Sequence, residues 1–326
     1  MAASNNGCIA IPTVDLAPFF LDDDEGGVAR ARATATDAVR EACRSSGFFR
    51  VVNHGVPREL MARALELQAS FFALPDEEKA KVRPAEGTSP PFPAGHARQP
   101  THSVDKNELL LVLHPKLWLD LYPAEPAGFR EALVEWHAKL TELGLLVQEI
   151  LNECMGLPPG FLGEYNDDRT FDFISARHCY PATQEENFGA RPHQDVSCIS
   201  FVLQDGVGGL EVLGPEGEWA PVDPVEGSIV VNIGDVVQVL SNGRFRSVMH
   251  RVVRKPAAHR YSLIFFLNVH GDKWVEPLPQ FAADVGEPPR YRGFKYGEYP
   301  QLRARYTKSY QLSMPVDVLD ITHYAI

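Results

Sequence analysis

Residues 191–213, RPHQDVSCISFVLQDGVGGLEVL, carry the reading that decides the fold. The first five place an imidazole, His193, and a carboxylate, Asp195, two positions apart. In an extended chain residues i and i+2 project from one face, so a single ion can touch both. Beyond them Ile199–Leu203 and Leu210–Leu213 are short apolar runs separated by Gly206-Val-Gly-Gly209. Such runs, bounded by turn residues, predict strands. The glycine segment reads as a hairpin turn and not as a phosphate-binding loop, because no helical pattern follows it.

Downstream, Ser228–Ile233 and Tyr261–Leu267 repeat the pattern. Many short strands at this spacing predict a double-stranded β-helix, the jelly-roll or cupin-like arrangement in which two sheets fold together. Upstream of Arg169 the periodicity changes. Apolar residues recur at three- and four-residue intervals from Val28 to Cys43, Arg58 to Leu74 and Ala127 to Met155, the helical signature. Leu133, Trp136, Leu140, Leu143, Val147 and Leu151 show it best. The expected fold is therefore mainly β with α. Residues 1–168 form an N-terminal helical or mixed region packed on a core of residues 169–326, and 326 residues suit one compact unit of this kind. The stretch 83–100 holds five prolines and two glycines, which predicts a loop and a candidate lid over a site.

A net charge of −12 and a pI near 5.4, with no basic run, argue against nucleic acid, which needs a clustered Lys/Arg face. Five scattered cysteines without C-x-x-C predict reduced thiols. The start MAASNNGC lacks the basic-then-apolar pattern of a secretory signal, and no apolar run is long enough to span a bilayer. The expectation is a cytoplasmic monomer whose partner is a small-molecule substrate, with no nucleic acid and no membrane.

A third ligand for an ion held by His193 and Asp195 has to come from a distant strand, and His250 in Ser247-Val-Met-His-Arg-Val252 is the best placed. His54, His96, His102, His137 and His323 have no carboxylate at strand spacing. Two imidazoles and one carboxylate on one face leave positions open for a bidentate co-substrate and O₂, which suits ferrous iron; a structural zinc site closes at four ligands. Ten residues on, Arg260-Tyr-Ser262 again points an i, i+2 pair to one side of an apolar strand. An arginine inside a barrel needs an anion. A small dicarboxylate fits: the guanidinium fork grips one end, the Ser262 hydroxyl adds a bond, and the other end reaches the metal. An internal ion pair, for instance with Asp235, is the alternative.

Ordered blocks along nearly the whole chain resemble the plant-type 2-oxoglutarate- and Fe(II)-dependent dioxygenases, relatives of flavonol synthase, anthocyanidin synthase and the gibberellin oxidases. They run from Ile11-Pro-Thr-Val-Asp-Leu16 and Gly47-Phe-Phe-Arg-Val-Val-Asn-His-Gly-Val-Pro57 through Phe71-Phe-Ala-Leu-Pro-Asp-Glu-Glu-Lys79 and Tyr180-Pro181. They continue with His193-Gln-Asp195, Gly208-Gly-Leu-Glu-Val212, Asn232-Ile-Gly-Asp235, Leu240-Ser-Asn-Gly243, His250-Arg-Val252 and Arg260-Tyr-Ser262. The resemblance implies iron on His193, Asp195 and His250. It implies 2-oxoglutarate on Arg260 and Ser262, with Tyr180 assisting, and a turn of structural importance at Asn53-His54-Gly55. The chain departs from the family at His178, where asparagine is common, at Ala176, where a basic residue is common, and at Asn268, a substrate-contacting glutamate in the anthocyanidin and flavonol enzymes.

For the substrate pocket, Phe266 and Asn268 continue the alternation from Arg260. Phe173 and Ser175 share a face of parity opposite to His178 and Tyr180, so both sets face inward only across a bulge. Phe92 or His96 can descend from the proline-rich loop. Aromatic rings facing the iron suit a planar aromatic or polycyclic plant metabolite or hormone. The implied reaction is oxidation, most simply hydroxylation, by O₂ with release of succinate and CO₂, supported by ascorbate. Two other readings are an ascorbate-using iron oxidase without 2-oxoglutarate and a catalytically silent metabolite-binding jelly roll.

Overall fold

The computed structural model describes residues 11–22, 26–84, 94–114, 121–183, 187–310 (305–310 as backbone only) and 320–326. Helical periodicity in the first half produces α1 (Gly26–Arg44), α2 (Arg58–Phe72), the single turn α3 (Asp76–Lys79) and α4 (Phe129–Met155). The six apolar residues read from the sequence of α4 are all buried. Burying such a side chain stabilises the fold by roughly 1.5–3 kcal/mol. Helix α4 ends at Gly156, whose φ of 68° forms the left-handed cap that a Cβ would oppose. Within it, a Cβ on Gly144 would stand 2.8 Å from Leu267 Cδ1, so glycine there lets the helix lie close on the sheet.

The strands are β1 (Thr13–Asp15), β2 (Phe48–Val52), β3 (Gly95–Arg98), β4 (Asn107–Leu113), β5 (Phe173–Cys179) and β6 (Phe188–His193). They continue as β7 (Ile199–Gln204), β8 (Leu210–Leu213), β9 (Trp219–Pro221), β10 (Ile229–Ile233), β11 (His250–Val253) and β12 (Arg260–Leu267). They form one large sheet, ordered β1-β2-β10-β7-β12-β5-β4-β3, and one small sheet, ordered β6-β11-β8-β9. These are the two sheets of a jelly roll.

Strand β12 shows how the layers divide. Arg260, Ser262, Ile264 and Phe266 face the cleft between the sheets, while Leu263, Phe265 and Leu267 are buried in the core on the other side. Helices α2 and α4 cover that other side. Gln68 of α2 donates from Nε2 to the carbonyls of Arg177 and Ser262, at 2.9 and 3.1 Å, tying the helix to β5 and β12.

Three expectations change. The Gly206–Gly209 turn is not a hairpin, since β7 and β8 belong to different sheets; it carries the chain across from one to the other. Part of the proline-rich stretch is ordered as the edge strand β3, paired with β4, because its prolines lie outside residues 95–98. The region before residue 169 does more than pack on the core: β1 to β4 supply half of the large sheet. The Asn53–Gly55 turn is as expected, with φ of 51° and 79° at its ends. The four described cysteines are free and buried. Among the described residues no helix is long and apolar enough to cross a membrane.

Candidate active site

The register of β6 against β11 builds the site. His193 lies directly opposite His250 in this antiparallel pair, with register shifts further along near Val252. Directly opposed residues share a face, so both imidazoles enter the cleft with ring centroids 4.3 Å apart. Pro192 is tolerated because β6 is an edge strand. Asp195 lies just beyond the end of β6, so strand alternation alone does not aim it; its carbonyl accepts from the Asp235 N–H at 2.8 Å, fixing the bend.

Asp195 Oδ1 stands 3.7 Å from the Nε2 of His193 and 3.7 Å from that of His250, and the three ligand atoms lie within 4.8 Å of one another. Their other polar atoms are occupied. The His193 and His250 Nδ1 groups face the carbonyls of Arg191 and Val248 at 2.7 and 3.2 Å, which leaves each Nε2 lone pair free for a cation. Asp195 Oδ2 accepts from Ser200 Oγ at 2.6 Å and Asn232 Nδ2 at 2.9 Å, leaving Oδ1 toward the imidazoles. Burial and the neighbouring His250 push His193 down to about 3, so it is a neutral ligand at physiological pH. Burial alone would raise the Asp195 carboxyl, but the two histidines and the hydrogen bonds from Ser200 and Asn232 hold it well below the carboxylate range. Two imidazole nitrogens and a carboxylate oxygen converging on one point form a donor set that fits Fe(II).

Arg260 lines the same cleft and is 2% exposed. Its Nε donates to the Gly208 carbonyl at 2.7 Å, and its other nitrogens to Ser262 Oγ at 2.9 Å and Gln204 Oε1 at 3.1 Å. These partners are all neutral. Asp235, the candidate internal counter-ion, is elsewhere: its Oδ2 accepts from Tyr299 at 2.8 Å and lies 3.7 Å from Arg303. A buried guanidinium without a carboxylate among the described residues needs an anion from outside.

Of the nominated pocket residues, Phe266 lines the cleft, and Phe173 lies against it with ring centroids 4.8 Å apart. Ser175 is opposite Ile264 and accepts from Arg177 Nε at 3.3 Å. Asn268 is placed differently: past the end of β12, its amide donates to the Phe171 carbonyl and its oxygen accepts from Tyr296, so it braces a loop. Phe92 falls outside the described residues.

His178, Tyr180 and His96 all sit on the helix-covered side of the large sheet. No bulge interrupts β5 against β12, so the His178–Tyr180 parity turns away from the cleft. His178 stacks on Tyr261 at 4.8 Å and bonds Glu108 at 2.9 Å and His259 at 2.7 Å. His96 bonds the same Glu108 at 3.0 Å. Tyr180 packs on His178, and burial together with the Glu108 charge raises its hydroxyl to about 12. The assistance to Arg260 expected of Tyr180 is not what this position gives. Instead the parity shared with Phe173 and Ser175 brings Arg177 and Cys179 into the cleft. The alternation F-I-S-A-R-H-C was the signal for them.

The 2OG-Fe(II) oxygenase superfamily matches residues 170–269, and the N-terminal family described as "non-haem dioxygenase in morphine synthesis N-terminal" matches residues 11–115. Flavanone 3-dioxygenase 2 of Oryza sativa subsp. japonica is 34% identical over 301 residues, covering 89% of this chain and 82% of that protein. Gibberellin 20 oxidase 2 of Oryza sativa subsp. indica is 33% identical over 310 residues, covering 92% and 77%. The structure of a full-length Neurospora crassa protein in complex with alpha-KG (2-oxoglutarate) and 5-formyluracil superposes with a TM-score of 0.80 at 25% identity, over 93% of this chain and 98% of that one. The chain belongs to the 2OG-Fe(II) oxygenase superfamily. It is an oxidoreductase, a dioxygenase that uses Fe(II) and 2-oxoglutarate on a small molecule.

Proposed function

We propose that His193, Asp195 and His250 hold the iron, that Arg260 and Ser262 hold the distal carboxylate of 2-oxoglutarate, and that the reaction is hydroxylation of a small aromatic or polycyclic molecule. The observation that carries this reading is Arg260, buried beside the three candidate ligands and bonded only to neutral groups. The keto-acid end of a dicarboxylate held there can reach toward the histidines. When bound, iron supplies the activation of O₂ that splits 2-oxoglutarate to succinate and CO₂ and oxidises the substrate.

The chain's own residues do the rest. Ser200 and Asn232 hold one oxygen of Asp195 so that the other faces the imidazoles. Gln204 and the Gly208 carbonyl keep the Arg260 fork in one orientation. Ile264, Val202, Leu210 and Val252 give the cleft apolar walls that exclude water, and the Phe266 ring, backed by the buried Phe173, offers a flat body a surface to lie on. The plant relatives, named for flavanone and gibberellin substrates, favour a ring system of that size. We take the enzyme to be monomeric and cytosolic, and its net charge of −12 disfavours nucleic acid and anionic membrane surfaces.

The test is a metabolite panel with Fe(II), 2-oxoglutarate and ascorbate, read by succinate release and by a mass gain of one oxygen atom. His193→Ala and Asp195→Ala should each abolish turnover with the circular dichroism spectrum unchanged. Turnover at wild-type rate in both would reject the ligand assignment.

A further inference from the structure

Arg177 is a second guanidinium in the cleft, and none of the roles above uses it. Strand β5 runs antiparallel to β12 with Cys179 opposite Arg260, Arg177 opposite Ser262, Ser175 opposite Ile264 and Phe173 opposite Phe266. The cleft thus has an order: the Arg260 end, proposed for the co-substrate, and an aromatic end at Phe266, with the buried Phe173 packed behind it. Arg177 Nε donates to Ser175 Oγ at 3.3 Å, which leans the side chain away from Arg260 and toward the aromatic end. Among the described residues no carboxylate stands within ion-pair distance of it, and its remaining N–H donors have no protein acceptor. It is half-buried and lines the same cleft as His193, Asp195 and His250.

A partly desolvated cation aimed into a binding cleft is best satisfied by an anion, and the planar guanidinium fork matches a carboxylate bidentately. One unmatched positive charge balances one negative charge, so a monoanion fits better than a phosphate dianion. The Phe266 ring, backed by Phe173 at 4.8 Å, lies on the side toward which Arg177 leans, and it suits an apolar, flat body.

We infer that Arg177 anchors the substrate, and that the substrate is a small monocarboxylic acid with a flat apolar body, its carboxylate on Arg177 and its body against Phe266. This rests on the proposal that Arg260 serves 2-oxoglutarate, because only then is Arg177 left for a second acid.

The experiment compares acids with their neutral amides: 3-phenylpropanoate with 3-phenylpropanamide, and naphthalene-1-acetate with naphthalene-1-acetamide. Binding is read by calorimetry under anaerobic conditions, on full-length protein with Fe(II), both with and without saturating 2-oxoglutarate. Each acid should bind the wild type at least about tenfold tighter than its amide, the size of one charge-assisted contact. In Arg177→Gln that ratio should fall to within about twofold, and in Arg177→Lys, which keeps the charge, part of it should survive. Equal binding of acid and amide, no binding of either acid at millimolar concentration, or a ratio unchanged in Arg177→Gln would overturn the inference. So would a loss of 2-oxoglutarate binding in Arg177→Gln with the ratio intact, since Arg177 would then belong to the co-substrate. Failure of 2-oxoglutarate to bind wild-type protein would bring down the Arg260 proposal, while the acid–amide ratio on the Fe(II) protein would still decide Arg177.

Discussion

A single side chain, Arg260, separates a co-substrate site from an ordinary barrel interior. Its fork is held by Gln204, Ser262 and the Gly208 carbonyl, so its free donor capacity is aimed before any ligand arrives. Arg260→Lys replaces the fork with a point charge. It should raise the 2-oxoglutarate concentration needed for half-maximal succinate release by about ten- to a hundredfold, the span of one or two charge-assisted bonds. An unchanged requirement would contradict the role. At the same scale, Asn232→Ala removes one of the two donors that orient Asp195. Loss of an outer hydrogen bond of this kind should weaken Fe(II) binding by roughly 10–100-fold, measured by competition with a metal indicator, while the fold melts near its normal temperature.

Among the elements, the turn after β10 matters most for the site. Gly234 precedes α5 (Asp235–Leu240), its N–H donates to the Cys198 carbonyl, and the next N–H donates to the Asp195 carbonyl. A Cβ on Gly234 would stand 2.0 Å from the Ser197 carbonyl oxygen, a backbone atom that cannot swing aside. Gly234→Ala therefore has to displace the segment that carries Asp195. It should cost about 1–3 kcal/mol of stability in urea denaturation and weaken Fe(II) binding in the same protein. Normal values of both would show that the two loops move independently.

Across the whole molecule, the seam between α4 and the large sheet sets a pH response. His137 of α4 meets Phe265 of β12 edge-on with ring centroids 5.1 Å apart. Burial, aided by the nearby His114, pushes it down to about 3. The unfolded chain takes up this proton below about 6.5, the ordinary histidine value, and the folded chain does not. The unfolded state thus binds more protons between about 6.5 and 3. The contribution is full above that window and is lost as pH falls through it, with a slope of up to about 1.4 kcal/mol per pH unit. His137→Phe, similar in ring shape and without the proton site, should flatten the loss of stability between pH 7 and pH 5 in urea titrations. An identical slope in both proteins would assign the response to other groups.

Much of this was legible in one dimension. The helical periodicity of α4, the strand runs of β7, β8, β10 and β12, and the pair Arg260/Ser262 are local patterns that follow from the 3.6- and 2-residue repeats of the backbone. The ligand types His193 and Asp195 were legible too, although Asp195 is aimed by a bend beyond β6 and not by strand alternation. The errors arose where a choice depended on partners far away in the chain. Tyr180 matched a family motif and His178 departed from it, yet the register of β5 against β12 turned both to the helix side and brought Arg177 into the cleft instead. Likewise the Gly206–Gly209 turn looked like a hairpin until the pairing put β7 and β8 in different sheets. The amino-acid order determined which residues can bind iron and a diacid, because side-chain chemistry travels with the residue. Which face β5 offers the cleft was decided by tertiary pairing, since a shift of one residue reverses every side chain and the register is fixed against the neighbouring strands β4 and β12.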